Sequence, residues 1–415
     1  MNRRQFTLMT ASPLALAACS ALPEASRAVE RTAAPAAAPA PAPEARKNAG
    51  FDTWRARFLT RARARGIPEG VLEKAKKTMV YLPSVLENDK KQFQFRRTLE
   101  DYIAVAASPE RLRIGAEKTR KHKALLNRIE ARYGVEAEVV AAIWGMESSF
   151  GARRGNTPVL AALATLGFGS RRAAFFESEL IAALRILAAG DISAPRMLGS
   201  WAGAMGHTQF IPSTYLAHAA DFDGDGRRDI WSDDPGDALA SAANYLKQSG
   251  WKHGALWGLE VKVPGGEAPL TTKPISEWRA LGLTRAIGGR LPDHGPAELI
   301  LPGGAGGPAF LLFHNYKVLR RYNNSLKYAL AVGHLSDRLA GGGLLVGSFG
   351  EDANGLTLAE RRDLQERLTR AGFDAGGNDG VIGDKTTAAI RAYEAARGLP
   401  VTGIASQRLL NHLRG

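Results

Sequence analysis

The chain of 415 residues contains one cysteine, which excludes an intramolecular disulfide and a metal site built from several thiolates. Acidic residues are also fewer than basic ones: the chain has 41 Asp and Glu and 55 Lys and Arg, which gives a net charge of +14. This excess favours an anionic partner: nucleic acid, acidic lipid or an acidic polymer such as cell wall. The remaining composition, 45% hydrophobic and 23% charged, is that of a globular protein with room for two or three domains.

The position of the cysteine indicates where the protein acts. After a basic start, an apolar run from about Phe6 to Ala18 is too short to span a bilayer and is typical of a signal peptide. It ends in Leu-Ala-Ala-Cys, which resembles a bacterial lipobox, so we expect residues 1–19 to be a lipoprotein signal and Cys19 to be lipidated. Ser20 favours the outer membrane over the inner one. A plain cleaved signal peptide is the alternative, and Sec and twin-arginine export both stay open. Export argues against nucleic acid and favours cell wall.

The next segments differ sharply in composition. Residues 20–50 are rich in Ala and Pro and predict an extended spacer. From 51 to about 133 the apolar periodicity is helical, with Pro68 and Pro83 marking element boundaries. The basic stretch 110–134 predicts one long amphipathic helix whose charged face is solvated.

The stretch VEAEVVAAIWGMESSF, ending at Phe150, predicts a helix that carries a candidate catalytic acid, Glu147. Glu147 ends an apolar stripe at helical spacing, formed with Val139, Ile143 and Met146. We expect Gly151 to end the helix. A carboxyl at the end of a buried stripe is partly desolvated, which raises its pKa and lets it donate a proton near neutral pH. The alternative is that Glu147 faces solvent or pairs with one of four nearby arginines: Arg153, Arg154, Arg171 and Arg172.

The stretch GSWAGAMGHTQFIPSTY, at 199–215, forms a second candidate site. Its glycines allow close approach of the backbone, and they are Gly199, Gly203 and Gly206. Ser200 and Gln209 suit sugar hydroxyls, while Met205 and Phe210 offer apolar faces to pyranose rings. The alternative is a glycine-rich turn in which the methionine and the phenylalanine belong to the core.

An acidic loop at 221–237, DFDGDGRRDIWSDDPGD, is a candidate calcium site. Its first carboxylates alternate before Gly226, as at the start of an EF-hand loop, and they are Asp221, Asp223 and Asp225. The position that should hold Glu is Ser232, so the closing ligand stays open among Asp233, Asp234 and Asp237. A metal-free acidic loop is the alternative, and a bound calcium ion would be structural.

The remaining stretches complete the predicted architecture. Short apolar runs between Gly/Pro turns at about 256–313 predict a small antiparallel sheet inserted into a helical domain. Residues 314–335 return to helix. A Gly-rich linker at 341–355 precedes a last helical module at 356–415. The fold class we expect is therefore mainly α (α+β), with a catalytic region at 51–340.

Several ordered motifs resemble one family. The strings ESSFG, ALATL, SRRAAFF, GSWAGAMGHTQFIPSTY, DFDGDGRRDIW and DALASAANYL resemble the membrane-bound lytic murein transglycosylase B family, as does LPSVLENDKKQFQF upstream. The resemblance covers residues 51 to about 339 and implies a lysozyme-like helical domain. It also implies cleavage of the β-1,4 bond between N-acetylmuramic acid and N-acetylglucosamine in peptidoglycan. The muramic acid C6 hydroxyl attacks its own C1 and leaves a 1,6-anhydro end, so one carboxyl serves as acid and then as base.

The resemblance also implies roles for single residues. Glu147 matches the catalytic glutamate, Asp237 matches an aspartate that closes the calcium loop, and Arg171 and Arg172 match paired arginines that meet stem-peptide carboxylates. Residues matching the saccharide cleft are Ser200, Met205, Gln209, Phe210, Tyr245, Tyr322, Asn323 and Tyr328. For the three tyrosines a core role is the alternative, and for the two arginines a solvated helix start.

The C-terminal module resembles a three-helix peptidoglycan-binding domain, through LQERL, DGVIGDKTTAAIRAYE and GLPVTG. Together these features predict a monomeric periplasmic lipoprotein of the outer membrane that remodels the wall. Its partners would be peptidoglycan strands and other wall enzymes, and its chemistry would need no cofactor. Two rivals stay open: a muramidase that adds water, and a catalytically inactive wall-binding scaffold.

Overall fold

A computed structural model describes residues 43–91, 98–266, 268–304 and 306–415. The predicted signal peptide, Cys19 and most of the predicted spacer lie outside these residues, as does the end of the LPSVLENDKKQFQF motif. Within the described ranges, no helix combines the length and the apolar character needed to cross a bilayer.

The structure is mainly helical, as the sequence predicts. The first helices are α1 (Ala49–Ala64), α2 (Glu69–Thr78), α3 (Pro83–Lys91), α4 (Leu99–Ala106), α5 (Pro109–Lys121), α6 (Lys123–Tyr133), α7 (Ala137–Ser148), α8 (Val159–Gly169) and α9 (Ala173–Ala189). They are followed by α10 (Pro212–His218), α11 (Gly236–Gln248), α12 (Ile275–Ala280), α13 (His314–Tyr322), α14 (Leu326–Leu339), α15 (Leu358–Arg370), α16 (Asp384–Ala396) and α17 (Gln407–Arg414).

The expected antiparallel insertion is confirmed. The strands are β1 (Thr157–Pro158), β2 (Leu198–Gly199), β3 (Gly258–Lys262), β4 (Thr272–Lys273), β5 (Thr284–Arg285), β6 (Ala297–Ile300) and β7 (Ala309–Leu312). The last five form one antiparallel sheet in the order β4-β6-β7-β3-β5, and β1 pairs with β2. Val261 of β3 lies opposite Ala309 of β7, and Trp278 of α12 is buried on the same sheet.

The prediction of one long basic helix at 110–134 is wrong, because the structure has two helices there, α5 and α6. His122 ends α5 and begins α6, with φ −103° and ψ 20° outside the helical values. Its ring packs edge-on against Trp144 of α7 at 5.5 Å. The chain therefore bends at His122 so that both helices pack against α7, a tertiary effect that local periodicity does not encode.

Two hydrophobic clusters meet at the candidate site. The first is built on α7 and α14, and includes Ile143 and Leu330. The second is built on α8 and α9, and includes Leu163. Tyr245 and Tyr322 pack against both clusters. A group at the end of α7 therefore lies where two packed bodies adjoin, which is a common place for a ligand cleft.

The C-terminal helices α15–α17 have a core of their own, to which Leu364, Ile390 and Tyr393 contribute. Thr357 and Glu360 form a capping box that fixes the start of α15. Arg361, 4% exposed, joins this module to α4 through an ion pair with Glu100 at 2.6 Å. The module therefore contacts the rest of the protein through a nearly buried ion pair.

Candidate active site

Glu147 lies in the last turn of α7, whose end differs from the prediction. The helix ends at Ser148, and Ser149 and Phe150 adopt left-handed φ values of 51° and 56°. The expected stop at Gly151 is thus wrong by two residues, because Ser149 caps the helix. Gly151 has another role, because a Cβ there would lie 2.6 Å from the His207 ring. Strained non-glycine residues next to a functional carboxyl are typical of active sites.

The environment of Glu147 is apolar and carries one strong hydrogen bond. Burial raises the pKa of Glu147 from its usual value to about 7, and the hydrogen bond from Tyr328 opposes that rise. The Tyr328 hydroxyl donates to Oε1 at 2.6 Å. The alternative named four arginines as possible partners; among the described residues no ion pair of Glu147 is found, its hydrogen-bond partner is Tyr328, and Arg154 pairs with Asp233. A carboxyl with this pKa holds its proton for much of the time near neutral pH.

Aromatic rings extend from Tyr328 away from the carboxyl. The Tyr322 ring lies parallel to that of Tyr328, with centroids 6.4 Å apart, and Tyr245 packs edge-on against Tyr322 at 5.1 Å. Phe210 lies 6.0 Å from Tyr322 and 6.2 Å from Tyr245. The structure therefore brings four of the predicted cleft residues together with Glu147.

The glycine-rich loop is held by hydrogen bonds within the loop and to Arg154. The Gln209 Nε2 donates to the carbonyl oxygens of Gly206 and Arg154, at 2.9 and 3.1 Å, and Gln209 itself has a left-handed φ of 51°. Ser200 Oγ accepts from the Ala204 amide at 3.0 Å. These two hydrogen-bonding side chains fix the shape of the loop. The Gln209 carbonyl oxygen and the Ser200 hydroxyl proton are the groups with which they could bind a sugar.

Met205 and Phe210 do not present faces to a ligand. They are 0% and 2% exposed and belong to the second cluster. The prediction that they offer surfaces to pyranose rings is therefore wrong, and the alternative of core residues holds. The backbones of Met205 and Phe210 pair in an isolated antiparallel bridge, and both side chains pack into the core beneath the turn that joins them.

Three other predicted substrate contacts lie at the ends of helices. Asn323 is exposed and ends α13. Arg171 and Arg172 are exposed at the start of α9, where the Arg172 guanidinium lies 4.3 Å from the Phe175 ring centroid. The hydroxyl of Tyr245 donates to the Arg321 carbonyl at 2.6 Å.

A hydrogen-bonded cluster behind α7 was missed by the sequence reasoning. The Ser148 hydroxyl donates to the His207 carbonyl at 2.6 Å, and Trp144 Nε1 donates to His207 Nδ1 at 3.1 Å. His207 Nε2 bonds the Ser232 carbonyl at 2.7 Å, as does Arg154 at 2.6 Å. The only sequence signal was the presence of polar residues inside apolar stretches. This cluster ties the helix of Glu147 to the acidic loop.

The acidic loop brings three carboxylates together. One oxygen each of Asp221, Asp223 and Asp225 lies within 4.8 Å of the others. Asp237, expected to close the site, lies outside this group and is 5% exposed. Its oxygens accept the amides of Phe222 and Asp229, both at 2.8 Å, and burial raises its pKa to about 6. Asp237 therefore fixes the base of the loop.

Comparison with known proteins identifies two regions. Residues 50–337 match the family model described as transglycosylase SLT domain, and residues 357–413 match a peptidoglycan binding domain. The chain is 38% identical over 242 residues to the membrane-bound lytic murein transglycosylase B of Escherichia coli. That match covers 56% of this chain and 65% of the relative, so it spans just under two thirds of the relative's length.

Solved structures resemble the chain over most of its length. SltB3 of Pseudomonas aeruginosa, in complex with NAG-NAM-pentapeptide, is 44% identical and has a TM-score of 0.70, covering 88% of this chain and all of the other. The lytic transglycosylase Slt35 of Escherichia coli, in complex with calcium, is 32% identical with a TM-score of 0.59, over 71% of this chain and 93% of the other. The helical fold is thus shared along both chains.

Proposed function

This chain belongs to the transglycosylase SLT domain family, and from that premise we propose that it is a lytic murein transglycosylase acting on peptidoglycan. The observation that carries the proposal is Glu147, a carboxyl with a pKa of about 7 that accepts a hydrogen bond from Tyr328. Such a group can give up a proton and take one back at neutral pH.

In the proposed mechanism, Glu147 donates its proton to the glycosidic oxygen between N-acetylmuramic acid and N-acetylglucosamine as the C1–O bond breaks. The oxygen of the 2-acetamido group bonds C1 in place of an enzyme nucleophile. Glu147, now ionised, takes the proton of the C6 hydroxyl as the C6 oxygen bonds C1 and displaces the acetamido oxygen. The product is a 1,6-anhydromuramic end, and Glu147 is protonated again without consumption of water.

One carboxyl suffices for this sequence of proton transfers. Most glycosidases need two carboxyl groups, about 5 to 9.5 Å apart. Glu147 accepts its hydrogen bond from a neutral hydroxyl, that of Tyr328, and the route through the C6 hydroxyl asks for no second carboxylate. A single carboxyl is therefore consistent with the non-hydrolytic route.

Incubation with purified peptidoglycan sacculi tests the proposed activity. The wild-type protein is expected to release soluble muropeptides at a rate proportional to enzyme concentration. A wall-binding scaffold would sediment with the sacculi and release nothing, and that result would sink the proposal.

Replacing Tyr328 by Phe is expected to move the alkaline limb of the kcat/KM profile to higher pH. The Tyr328 hydroxyl stabilises ionised Glu147, so its loss raises the pKa of that carboxyl above 7. The rate should also fall, roughly tenfold to a hundredfold, because the carboxylate loses a charged hydrogen bond. Rates between pH 5 and 9 measure both effects.

Tyr322→Phe is the matched control for Tyr328→Phe. It removes a hydroxyl from the neighbouring ring, but that hydroxyl donates to the Thr208 carbonyl rather than to Glu147. The alkaline limb of this control should stay in place. A limb that moves equally in both variants would show that the Tyr328 hydrogen bond does not set it.

We further propose a structural calcium ion in the acidic loop. Converging carboxylate oxygens suit a hard cation, and the loop backbone already turns around Asp221, which accepts the amides of Gly224 and Gly226. Residues Asp221, Asp223 and Asp225 would hold the ion, with Asp237 fixing the base. Because the loop is hydrogen-bonded to Arg154 and His207, the ion would stabilise the contacts behind α7 and take no part in catalysis.

Calcium is expected to raise the melting temperature of the wild-type protein and not that of Asp223→Asn. Free calcium at 100 times its Kd stabilises a folded state by about 2.7 kcal/mol. Asp374→Asn is the control, since Asp374 accepts an amide two residues on, as Asp223 does, but lies outside the loop. Equal melting curves with calcium and with chelator would refute the site.

The proposed location follows from the N-terminus and the C-terminal module. Lipidation of Cys19 would hold the protein at the outer membrane, facing the periplasm, and the peptidoglycan-binding module would raise its local concentration on the wall. We propose peptidoglycan as the main partner, a monomeric state and no nucleic-acid ligand. A fatty-acid label that appears on the wild type and persists on Cys19→Ser would contradict the anchor.

A further inference from the structure

We propose that His207 is a positioning residue for the reaction: as a neutral ring it holds the last turn of α7, and with it Glu147, in place. The residue lies in the glycine-rich loop and bonds α7 on one side and the acidic loop on the other. His207 is 3% exposed, so it acts through protein contacts and not on the substrate. The inference rests on the proposed function, because it names a residue that acts through the catalytic carboxyl.

The hydrogen bonds of His207 fix which ring nitrogen carries the proton. Trp144 Nε1 can only donate, so His207 Nδ1, at 3.1 Å, has to be the acceptor and carries no proton. The proton is then on Nε2, which donates to the Ser232 carbonyl at 2.7 Å. Both ring nitrogens are therefore satisfied only when the ring is neutral.

His207 contacts the chain on both sides of Glu147. Trp144, which bonds the ring, lies one helical turn before Glu147 on α7. Ser148, directly after Glu147, donates to the His207 carbonyl at 2.6 Å. The Ser148 hydroxyl also accepts the Gly151 amide at 3.0 Å, which ties the turn after the helix to the same group. One residue therefore holds the segment that carries the carboxyl from before and from behind.

Protonation of the His207 ring breaks this arrangement. A second ring proton would sit on Nδ1 and face the N–H of Trp144, so that two donors would lie 3.1 Å apart. The ring packs so closely on Gly151 that a Cβ there would lie 2.6 Å from it, so a ring that moves away from Trp144 disturbs the turn after α7. We therefore expect acid to displace Glu147 from the position in which it accepts the Tyr328 hydrogen bond.

The charged groups around the ring oppose one another. Arg154 lies 3.3 Å from His207 Nε2 and disfavours a second positive charge, whereas Asp233 and Asp229 favour one. Burial has the largest influence and lowers the pKa of His207 below its ordinary value. Since the neutral ring is the competent form, activity is kept above that pKa and lost as the pH falls through it, below about pH 6.5.

Glu147 supplies no acidic limb of its own in the proposed mechanism. It starts and ends each cycle protonated, so its ionisation limits the rate only at alkaline pH. An acidic limb in the kcat/KM profile therefore has to come from another group, and His207 is that group. If His207 mattered only to stability, its replacement would change the melting temperature and leave the acidic limb in place.

His207→Gln tests the proposal through the pH profile of cleavage. Glutamine can still donate to the Ser232 carbonyl but cannot be protonated, so the acidic limb of kcat/KM should disappear. At pH 7 the rate should fall only about fivefold, since one hydrogen bond, that of Trp144, is lost. His122→Gln is the matched control and should keep the limb, because the His122 ring packs on the same Trp144, whose N–H bonds His207 instead. A limb that persists in His207→Gln, or vanishes in His122→Gln, overturns the inference.

NMR of protein with labelled histidine and glutamate side chains gives a readout independent of cleavage. At pH 7 the His207 ring should carry its proton on Nε2 alone, with His207→Gln assigning its signals. Glu147 is largely protonated below about pH 6, so a further shift of its carboxyl signal that follows the His207 titration reports its displacement. A ring that titrates with no change at Glu147 overturns the inference. Failure to cleave any strand would instead overturn the proposed function, while the titration would still decide the role of His207.

Discussion

Glu147→Gln is expected to lower the cleavage rate by roughly 10³- to 10⁴-fold, because proton transfer by a positioned group contributes 10²- to 10⁴-fold and one group here performs both transfers. Glutamine keeps the size of the side chain and can still accept the Tyr328 hydrogen bond. It cannot donate a proton to the glycosidic oxygen at neutral pH. Turnover of sacculi measures the loss, and sedimentation with sacculi should show that binding is kept.

Glu138→Gln is the control for that substitution. Glu138 lies in the first turn of α7, nine residues before Glu147 and about 13.5 Å along the helix axis. The Glu138→Gln substitution makes the same chemical change in the same helix, and it should leave turnover near that of the wild type. Wild-type turnover by Glu147→Gln would assign the catalytic acid to another residue.

A raised pKa alone does not identify the acid. Burial also raises the pKa of Asp337 to about 7, yet both of its oxygens accept from the Trp257 indole, at 3.1 and 3.2 Å. Asp337 lies on α14 against the inserted sheet and joins the two structurally. Glu147 differs because it ends a helix at the junction of the two hydrophobic clusters. Position therefore decides between two carboxyls with similar pKa values.

Gly206→Ala is expected to have the second-largest effect, a loss of about 3 kcal/mol or more in the free energy of unfolding. Gly206 has φ +69°, and a Cβ there would lie 2.2 Å from the Ile230 carbonyl oxygen, which belongs to the backbone and cannot rotate away. The same backbone accepts the His207 amide at 3.2 Å. Urea unfolding measures the loss, and cleavage should fall as the loop separates from the acidic segment.

Gly190→Ala separates the clash from backbone strain. Gly190 has φ +84° at the end of α9, but a Cβ there would meet no atom within 4 Å. This control should lose only about 1 kcal/mol, the cost of a left-handed conformation for a residue with a Cβ. Equal losses of unfolding free energy in both variants would mean that the close approach of Gly206 to the Ile230 carbonyl does not add to the cost of the substitution.

Local patterns in the sequence predicted the elements well where a single stretch carries the information. The stripe ending at Glu147 and the alternating runs of the inserted sheet are of this kind, and the family resemblance supplied Tyr328. The break at His122 depends on the Trp144 ring, and the burial of Met205 depends on a cluster assembled from distant helices. The bond between Tyr328 and Glu147 joins residues 181 positions apart, which no local pattern encodes.

The central claim is that Glu147 supports cleavage without water, and the masses of the released muropeptides test it most directly. Products formed by the wild type should end in 1,6-anhydromuramic acid, one water lighter than hydrolysed ends and unchanged in mass after borohydride treatment. Glu147→Gln should release almost none of them. Muramic ends that carry the added water and gain hydrogen with borohydride would show that the enzyme is a hydrolase and would contradict the mechanism.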